Sequence, residues 1–240
     1  AKPGMKALVL GNGDFADGWL GGSCVTAAVK KAAITAIKTG EAMLVCLRPE
    51  ELLADMEVAD KDETLHLAHN GCPSKGSMDI FVEPVKPQPE LLVCGSGPVA
   101  SALLRIAASF GFSLVLCGEI EHAIADRRYA SLVEMDRAAM PAVDRYVVVA
   151  TQGNGDVITL TAALKMAVRY IAFVGSRRKF ASYKDKLTNA GVSATKIDVV
   201  RSPAGVHINA VTPDEIALSI MAEIIQTRRT ARQQHAADDA

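Results

Sequence analysis

The residues from Leu91 to Ala100 constrain the fold of this chain more than any other stretch. An apolar run from Leu91 to Cys94 is long enough for a buried strand and ends at Gly95-Ser96-Gly97. Pro98 then takes the first position of a helix, where its missing N–H costs nothing, and apolar residues recur at helical spacing until Gly111. This order predicts a strand, a glycine turn and a helix whose first N–H groups are available to an anion.

The turn also matches a nucleotide-binding pattern. Gly95, Gly97 and Ala100 fit the G-x-G-x-x-G/A fingerprint, a second strand is predicted from Phe112 to Cys117, and Glu119 stands about twenty residues beyond the fingerprint, where dinucleotide sites place their ribose acid. An ordinary tight turn without a ligand explains the same residues, so both interpretations stay open. The candidate binding residues here are Gly95, Ser96, Gly97, Pro98, Val99 and Glu119.

Composition excludes several classes of protein. Half of the 240 residues are apolar and 22% are charged, as in a soluble globular protein, and a net charge of −1 gives no general attraction to nucleic acid. Apolar runs are too short to cross a bilayer and no signal-peptide pattern is evident, so we expect a cytoplasmic protein without stable membrane insertion. Five single cysteines without C-x-x-C argue against a disulfide framework.

Hydrophobic periodicity predicts the α/β fold class with two domains. Residues 1–86 are predicted to form a small N-terminal α+β domain with a helix from about Val25 that ends at Gly40, and prolines 84, 87 and 89 form a stiff linker. In residues 90–227, apolar strands alternate with helices, which predicts a Rossmann-like parallel sheet covered on both faces. Residues 228–240 lack an apolar face and are predicted to be a flexible tail.

Hydrophobic runs and capping residues predict the elements of the second domain. Strands are predicted from Tyr146 to Thr151 and from Tyr170 to Val174, and the last helix is predicted to open at Thr212, a capping residue. The sequence also predicts a helix over 121–128, a strand over 131–133, one helix over 177–190 and a strand over 197–200.

Two more loops are expected beside the glycine turn, because ligands of open parallel sheets gather at the carboxyl ends of the strands. They are Thr151–Asp156 and Gly175–Lys179. The second loop puts three cations in the first turn of a helix, where the macrodipole disfavours them, which indicates a compensating phosphate; side chains spread into water are the equal alternative. The candidate binding residues of these loops are Thr151, Gln152, Gly153, Gly175, Ser176, Arg177, Arg178 and Lys179.

Together these segments resemble the XdhC/CoxI family. The resemblance rests on Gly21–Val25, Glu83–Val85, Gly95–Ala100, Tyr170–Ile171 with Gly175–Lys179, Ser202–Gly205 and Thr212–Ile220, in the family's order. Members are accessory factors for molybdenum hydroxylases such as xanthine dehydrogenase and aerobic carbon monoxide dehydrogenase. The resemblance implies a small N-terminal domain, a Rossmann domain and a maturation factor or chaperone that helps to sulfurate, hold or insert the molybdenum cofactor.

The resemblance also implies ligands and partners. It is strongest to the CoxF-type factor of carbon monoxide dehydrogenase, for which copper delivery is another implied role. The implied ligand is AMP, NAD or the dinucleotide form of the molybdenum cofactor. The implied partners are an immature molybdenum hydroxylase, a cysteine desulfurase or other maturation factors, and a second copy of the chain in a homodimer. An NAD-dependent oxidoreductase is the alternative, although no catalytic Lys/Tyr or His–acid pair is evident.

Cys24 is the candidate catalytic residue. It follows glycines at the start of a helix, where the dipole favours a thiolate that could carry persulfide sulfur or bind Cu(I). A buried structural cysteine is the equal alternative, and Cys72 is a weaker second candidate. The family pattern Gly-Gly-Gly-Cys-Val-Glu has Ser23 and Thr26 here in place of a glycine and the glutamate.

Two further departures fall within the candidate binding loops. Thr151 is followed by Gln152, where the family usually has histidine. Gly118 and Glu119 stand where Asp-x-Arg is typical. No metal ligands are assigned from the sequence.

Overall fold

The structure is a computed structural model that describes residues 2–56, 65–71, 76–136 and 143–238. The chain divides into two compact units, of which one comprises Ala1–Lys86 with Arg232–Ala240 and the other comprises Pro87–Ala231. The predicted α/β class with a Rossmann-like parallel sheet is confirmed. Over the described ranges, no helix combines the length and the apolar character needed to span a bilayer.

The strands are β1 (Ala7–Val9), β2 (Phe15–Gly18), β3 (Met43–Arg48), β4 (Leu65–His69), β5 (Met78–Val82), β6 (Glu90–Cys94), β7 (Ser113–Cys117), β8 (Arg127–Tyr129), β9 (Arg145–Val149) and β10 (Tyr170–Phe173). The helices are α1 (Ser23–Thr39), α2 (Glu50–Met56), α3 (Pro98–Ala107), α4 (Leu132–Asp136), α5 (Asp156–Lys165), α6 (Arg177–Ala181), α7 (Lys184–Asn189), α8 (Ala194–Asp198) and α9 (Pro213–Asp238).

The N-terminal unit packs α1 on a three-stranded sheet. In that sheet β3 pairs in parallel with β4 and antiparallel with β5, and β1 and β2 form a separate antiparallel pair. Val25 and Val29 recur at helical spacing and pack with Val45 and Leu47 of β3 in one buried cluster. The helix ends where the sequence predicts, because Gly40 adopts the left-handed conformation (φ 81°) that suits glycine at a helix end.

The second unit is built on five parallel strands in the order β10-β9-β6-β7-β8. If these five strands are numbered 1 to 5 in chain order, their order in the sheet is 5-4-1-2-3, which is the Rossmann arrangement. The direction of this order reverses between β6 and β9. Successive residues of β6 face opposite sides, so that Leu91 packs with the cluster of α3 and α9 while Leu92 packs with that of α4 and α5. Helices therefore cover both faces, as predicted.

Two predictions for the segment between β7 and β9 are wrong. Residues 121–128 form no helix, because their end joins the sheet as β8 and the Asp126 carboxylate accepts the N–H of Leu114 at 2.7 Å. Residues 131–133 form no strand, because Ser131 caps α4: its hydroxyl accepts the N–H of Glu134 at 3.2 Å, and the Glu134 carboxylate accepts the N–H of Ala130 at 3.0 Å. The sequence shows the S-x-x-E pattern of a capping box, and here the glutamate reaches the N–H one residue before the cap.

Two differences lie nearer the C-terminus. The helix predicted over 177–190 is divided into α6 and α7, and the strand predicted over 197–200 is α8 with its following turn, since Ile197 and Val200 are buried while Val199 is 61% exposed. In the structure, α9 continues through residues 228–238, which are rich in Ala, Arg and Gln and contain no Gly or Pro.

A buried carboxylate lies at the amino ends of the strands. Glu90, the first residue of β6, is 2% exposed and is paired across the sheet with Arg145 of β9. Its two oxygens accept bonds from Arg145 Nε at 2.8 Å and Arg127 Nη2 at 2.5 Å. Both charges of the buried Glu90–Arg145 pair are thus compensated.

We predict that Glu90→Ala destabilises the Rossmann unit by about 3 kcal/mol, because removing one partner leaves the charge of buried Arg145 without its carboxylate. Urea unfolding followed by far-UV circular dichroism measures this. The control is Glu121→Ala, which removes a carboxylate whose side chain is 90% exposed and should leave the midpoint unchanged. Equal midpoints for Glu90→Ala and the control would contradict the prediction.

Candidate functional site

The carboxyl ends of β6, β7 and β9 are packed too closely for side chains. Gly95 has φ 140°, and a Cβ atom there would overlap the carbonyl oxygen of Ala150. Gly118 has φ 150°, and its Cβ would lie 2.7 Å from the Gly95 carbonyl oxygen. Both positions therefore require glycine, for conformation and for space. The turn out of β6 consequently lies directly against the backbone of the two neighbouring strands.

Helix α3 begins at this turn, and its first N–H groups have no partner within the helix. Gly97 is the N-cap residue and supplies no side-chain cap, Pro98 occupies the first turn, and the first intrahelical bond in this turn runs from Ser101 N–H to the Gly97 carbonyl at 3.1 Å. The N–H groups of Val99 and Ala100 precede that bond and have no partner within the helix. With the positive end of the helix dipole, they form an anion-binding geometry.

Glu119 is held next to the glycine turn. It follows β7 and Gly118, and its backbone N–H donates to the Ser96 hydroxyl oxygen at 3.0 Å. Glu119 is exposed to solvent. The structure therefore places Glu119, the predicted ribose acid, beside the predicted phosphate turn.

Gln152 lies across the glycine turn from the β9 side. A Cβ at Gly97 would lie 2.7 Å from both Cδ and Nε2 of Gln152 and 2.8 Å from its Oε1. The Gln152 carboxamide is therefore packed flat on Gly97. Its backbone is left-handed (φ 53°), an uncommon conformation for a residue other than glycine.

A buried acid, Asp156, organises the loop that carries Gln152. Asp156 is 2% exposed, and its Oδ1 accepts bonds from the Thr151 hydroxyl and, at 2.9 Å, from Gly153 N–H. Its Oδ2 accepts the Tyr183 hydroxyl at 2.9 Å and pairs with Lys179 Nζ at 2.7 Å. The loop after β9 and the segment after β10 are thus joined through one carboxylate.

The bonds to Asp156 determine its charge state. Burial alone raises the pKa of its carboxyl, but the bonds from Lys179, Thr151, Gly153 and Tyr183 outweigh that effect, so its pKa lies below the usual value. The pKa of Lys179 is raised, chiefly by its hydrogen bond to Asp156. The pair is therefore ionised at neutral pH.

This pairing changes the interpretation of the basic turn. The sequence suggests an external phosphate for all three cations, but Lys179 already has an anion within the protein, and Arg177 and Arg178 are exposed. The Ser176 hydroxyl caps α6 by accepting Lys179 N–H at 3.2 Å. Gly175 is required locally, because a Cβ there would overlap the Phe173 ring.

The sequence predicted the loop that ends at Asp156, but it predicted neither the organising role of Asp156 nor the participation of Tyr183. Asp156 could have been predicted, because the helix dipole favours an acid at the start of a helix, directly after a glycine-rich loop. Tyr183 could not have been predicted, because its hydroxyl reaches Asp156 only after the chain turns between α6 and α7.

Cys24 lies in the N-terminal unit, at the second residue of α1, and is half-buried. A Cβ at Gly71 would lie 3.8 Å from Cys24 Sγ and 3.6 Å from His69 Cε1, so the thiol and this imidazole flank one glycine. Cys72 lies outside the described residues. Within the described parts of the chain, no three His, Cys, Asp or Glu residues are grouped to hold a metal ion.

Two family models match this chain. The XdhC Rossmann domain matches residues 91–224, more than half of the 240 residues, and the XdhC and CoxI family matches residues 1–47. A crystal structure of a xanthine dehydrogenase from Bacillus halodurans resembles this chain with a TM-score of 0.52 at 20% identity, over 87% of this chain and 66% of that one. At that identity the likeness concerns the fold alone.

Two curated relatives also match. The uncharacterized protein YqeB of Escherichia coli (strain K12) is 28% identical over 179 residues, which are 69% of this chain and 33% of that protein. A probable xanthine dehydrogenase subunit from Bacillus subtilis (strain 168) is 28% identical over 175 residues, which are 69% of this chain and 50% of that protein. This chain thus spans between a third and a half of the length of these relatives.

We predict that Asp156→Asn lowers stability at pH 7 by about 2 kcal/mol, because it removes the charged acceptor of several hydrogen bonds. The native pKa is depressed, so the stabilisation is present above the unfolded value of about 3.9 and is lost as the pH falls through the native pKa. Urea unfolding at several pH values should show the gap between wild type and variant narrowing below about pH 4. A constant gap would contradict this, and exposed Asp185→Asn serves as the control.

Proposed function

We propose a function from the premise that this chain belongs to the XdhC/CoxI family, the family of both matching models. The chain acts as an accessory factor in the maturation of a molybdenum hydroxylase of the xanthine dehydrogenase type. The name of the Bacillus subtilis relative, a probable xanthine dehydrogenase subunit, supports this client. The alternative client is an enzyme of the carbon monoxide dehydrogenase type, which the resemblance to CoxF-type factors suggests.

In this proposal the Rossmann unit binds a nucleotide or the nucleotide-bearing molybdenum cofactor. One observation supports it: at the point where strand order reverses, the first N–H groups of α3, which have no partner within the helix, and the backbone of Glu119 flank the same glycine turn. AMP, NAD and the dinucleotide cofactor share a ribose next to a phosphate. The helix amides suit the phosphate and Glu119 suits the ribose hydroxyls.

Cys24 is the residue we propose for sulfur handling. Its thiolate would attack the outer sulfur of a persulfide on a cysteine desulfurase, forming Cys24 persulfide and releasing the donor thiolate. Its thiol lies in the first turn of α1, where it and the His69 imidazole flank Gly71. The alternative role of the same thiol is to bind a soft metal such as Cu(I). For the assembly, we propose a homodimer.

The Rossmann geometry also favours a second candidate function. Glu119 would bind the ribose of NAD and repel the extra phosphate of NADP, as in NAD-dependent oxidoreductases. A spectrophotometric assay separates the two functions: turnover of NAD with a small substrate supports the oxidoreductase, and binding of NAD or AMP without turnover supports the accessory factor.

We predict that the purified chain binds AMP, NAD or the dinucleotide cofactor, and that Glu119→Ala weakens binding by about tenfold, because a hydrogen bond to a charged group is lost. Isothermal titration calorimetry measures the affinities. The matched control is Glu121→Ala, two residues away and 90% exposed, which should bind like wild type. Absence of binding by the wild-type chain would refute the nucleotide proposal.

We predict that Cys24→Ser reduces activation of a co-expressed hydroxylase to the level seen without this chain. The sulfur content of the client's molybdenum cofactor, measured after purification, should fall in parallel, because a hydroxyl forms no persulfide. Ser23→Ala, at the adjacent exposed residue, is the control and should activate normally. Full activation by Cys24→Ser would exclude a sulfur-carrying role for the thiol.

A further inference from the structure

We propose that the Gln152 side chain is a displaceable cover on the glycine turn, and that it lowers the affinity for pyrophosphate ligands relative to monophosphate ligands. This rests on the proposed nucleotide-binding function of the Rossmann unit. In such domains the second glycine of the fingerprint lets the pyrophosphate approach the backbone. Here that glycine is Gly97, and the space beside it holds a side chain of the protein.

The position of the carboxamide supports a steric cover. The three terminal heavy atoms of Gln152 lie at nearly equal distances, 2.7–2.8 Å, from the point where a Gly97 Cβ would be. The group therefore lies flat on the glycine. It makes no hydrogen bond with any described residue, so the contact is one of packing alone and is broken at small cost.

The backbone beneath the carboxamide is fixed. Gln152 is left-handed at φ 53°, and both of its neighbours are bonded to Asp156, Thr151 through its hydroxyl and Gly153 through its N–H. A left-handed residue other than glycine persists only where its surroundings hold it. Opening of the turn therefore requires a rotation of the exposed side chain and no rearrangement of the loop.

Chemical consequences follow for ligand choice. A single phosphate can be bound by the Val99 and Ala100 N–H groups at the start of α3. A pyrophosphate extends over Gly97 and must first displace the carboxamide. Shortening or removing this side chain should therefore favour ADP and NAD over AMP.

Calorimetry with ADP, NAD and AMP tests the proposal on wild type, Gln152→Asn and Gln152→Gly. Asparagine keeps the amide one methylene short of Gly97, and glycine fits the left-handed backbone. We expect both variants to raise the affinity for ADP and NAD relative to AMP by about three- to fivefold. The loop control is exposed Asn154→Ala, which should leave this ratio unchanged.

The outcomes separate this inference from the function on which it rests. ADP or NAD binding only by the Gln152 variants supports the cover. An unchanged or lowered ratio, with nucleotides still bound, overturns the cover and leaves the proposed function standing. Absence of binding by wild type and by all variants overturns the nucleotide-binding function and the inference together.

A second measurement needs no ligand. The backbone of Gly97 (φ −90°) admits alanine, so the main obstacle to Gly97→Ala is the Gln152 carboxamide. Because the carboxamide is held by packing alone, Gly97→Ala should lower the melting temperature of the wild-type chain only slightly, and should lower it less still in the Gln152→Gly background. An equal loss in both backgrounds would show that this side chain does not cover Gly97.

Discussion

The structure of the Rossmann unit depends on the close approach of three strand ends. At Gly95 and Gly118 the backbone of one strand takes the space that a side chain would need, and both residues have φ values that suit glycine. Because the strands meet without intervening side chains, the turn out of β6 is short and α3 begins at once with free N–H groups. The anion-binding geometry is therefore a consequence of sheet packing.

A buried charge sets the neighbouring loop. A carboxylate that is 2% exposed is tolerated only when its oxygens accept hydrogen bonds. The donors to Asp156 come from the loop after β9 and from the segment after β10. Its place at the first residue of α5 adds the favourable end of a helix dipole. Lys179 completes the arrangement, lying 5.4 Å from the Phe173 ring centroid. The electrostatics of this loop are mostly satisfied internally, and the exposed Arg177 and Arg178 are the cations that remain toward solvent.

The sequence predicted the structure best where the local pattern of residues and the packing of the sheet favour the same element. The strand–glycine–helix unit at Gly95 was predictable because hydrophobic burial, glycine conformation and proline position all indicate it. The elements over 121–128 and 131–133 were not, because bonds to a neighbouring strand decide the first, and a capping box outweighed an apolar run in the second. The contact between Tyr183 and Asp156 joins residues 27 positions apart, and no periodicity encodes such a contact.

The loop after β9 combines a rigid backbone with a movable side chain, and the chemistry of each part explains the difference. Ionic hydrogen bonds in a buried setting hold Thr151 and Gly153 firmly, since breaking them would leave Asp156 unsatisfied. Gln152 between them is neutral, exposed and held by packing on Gly97 alone. A charged side chain at this position would either repel or bind a phosphate strongly, whereas a neutral amide yields the space at little cost. The left-handed backbone of Gln152 therefore directs the amide toward Gly97. The hydrogen bonds of Asp156 to the two neighbouring residues hold the backbone in that conformation.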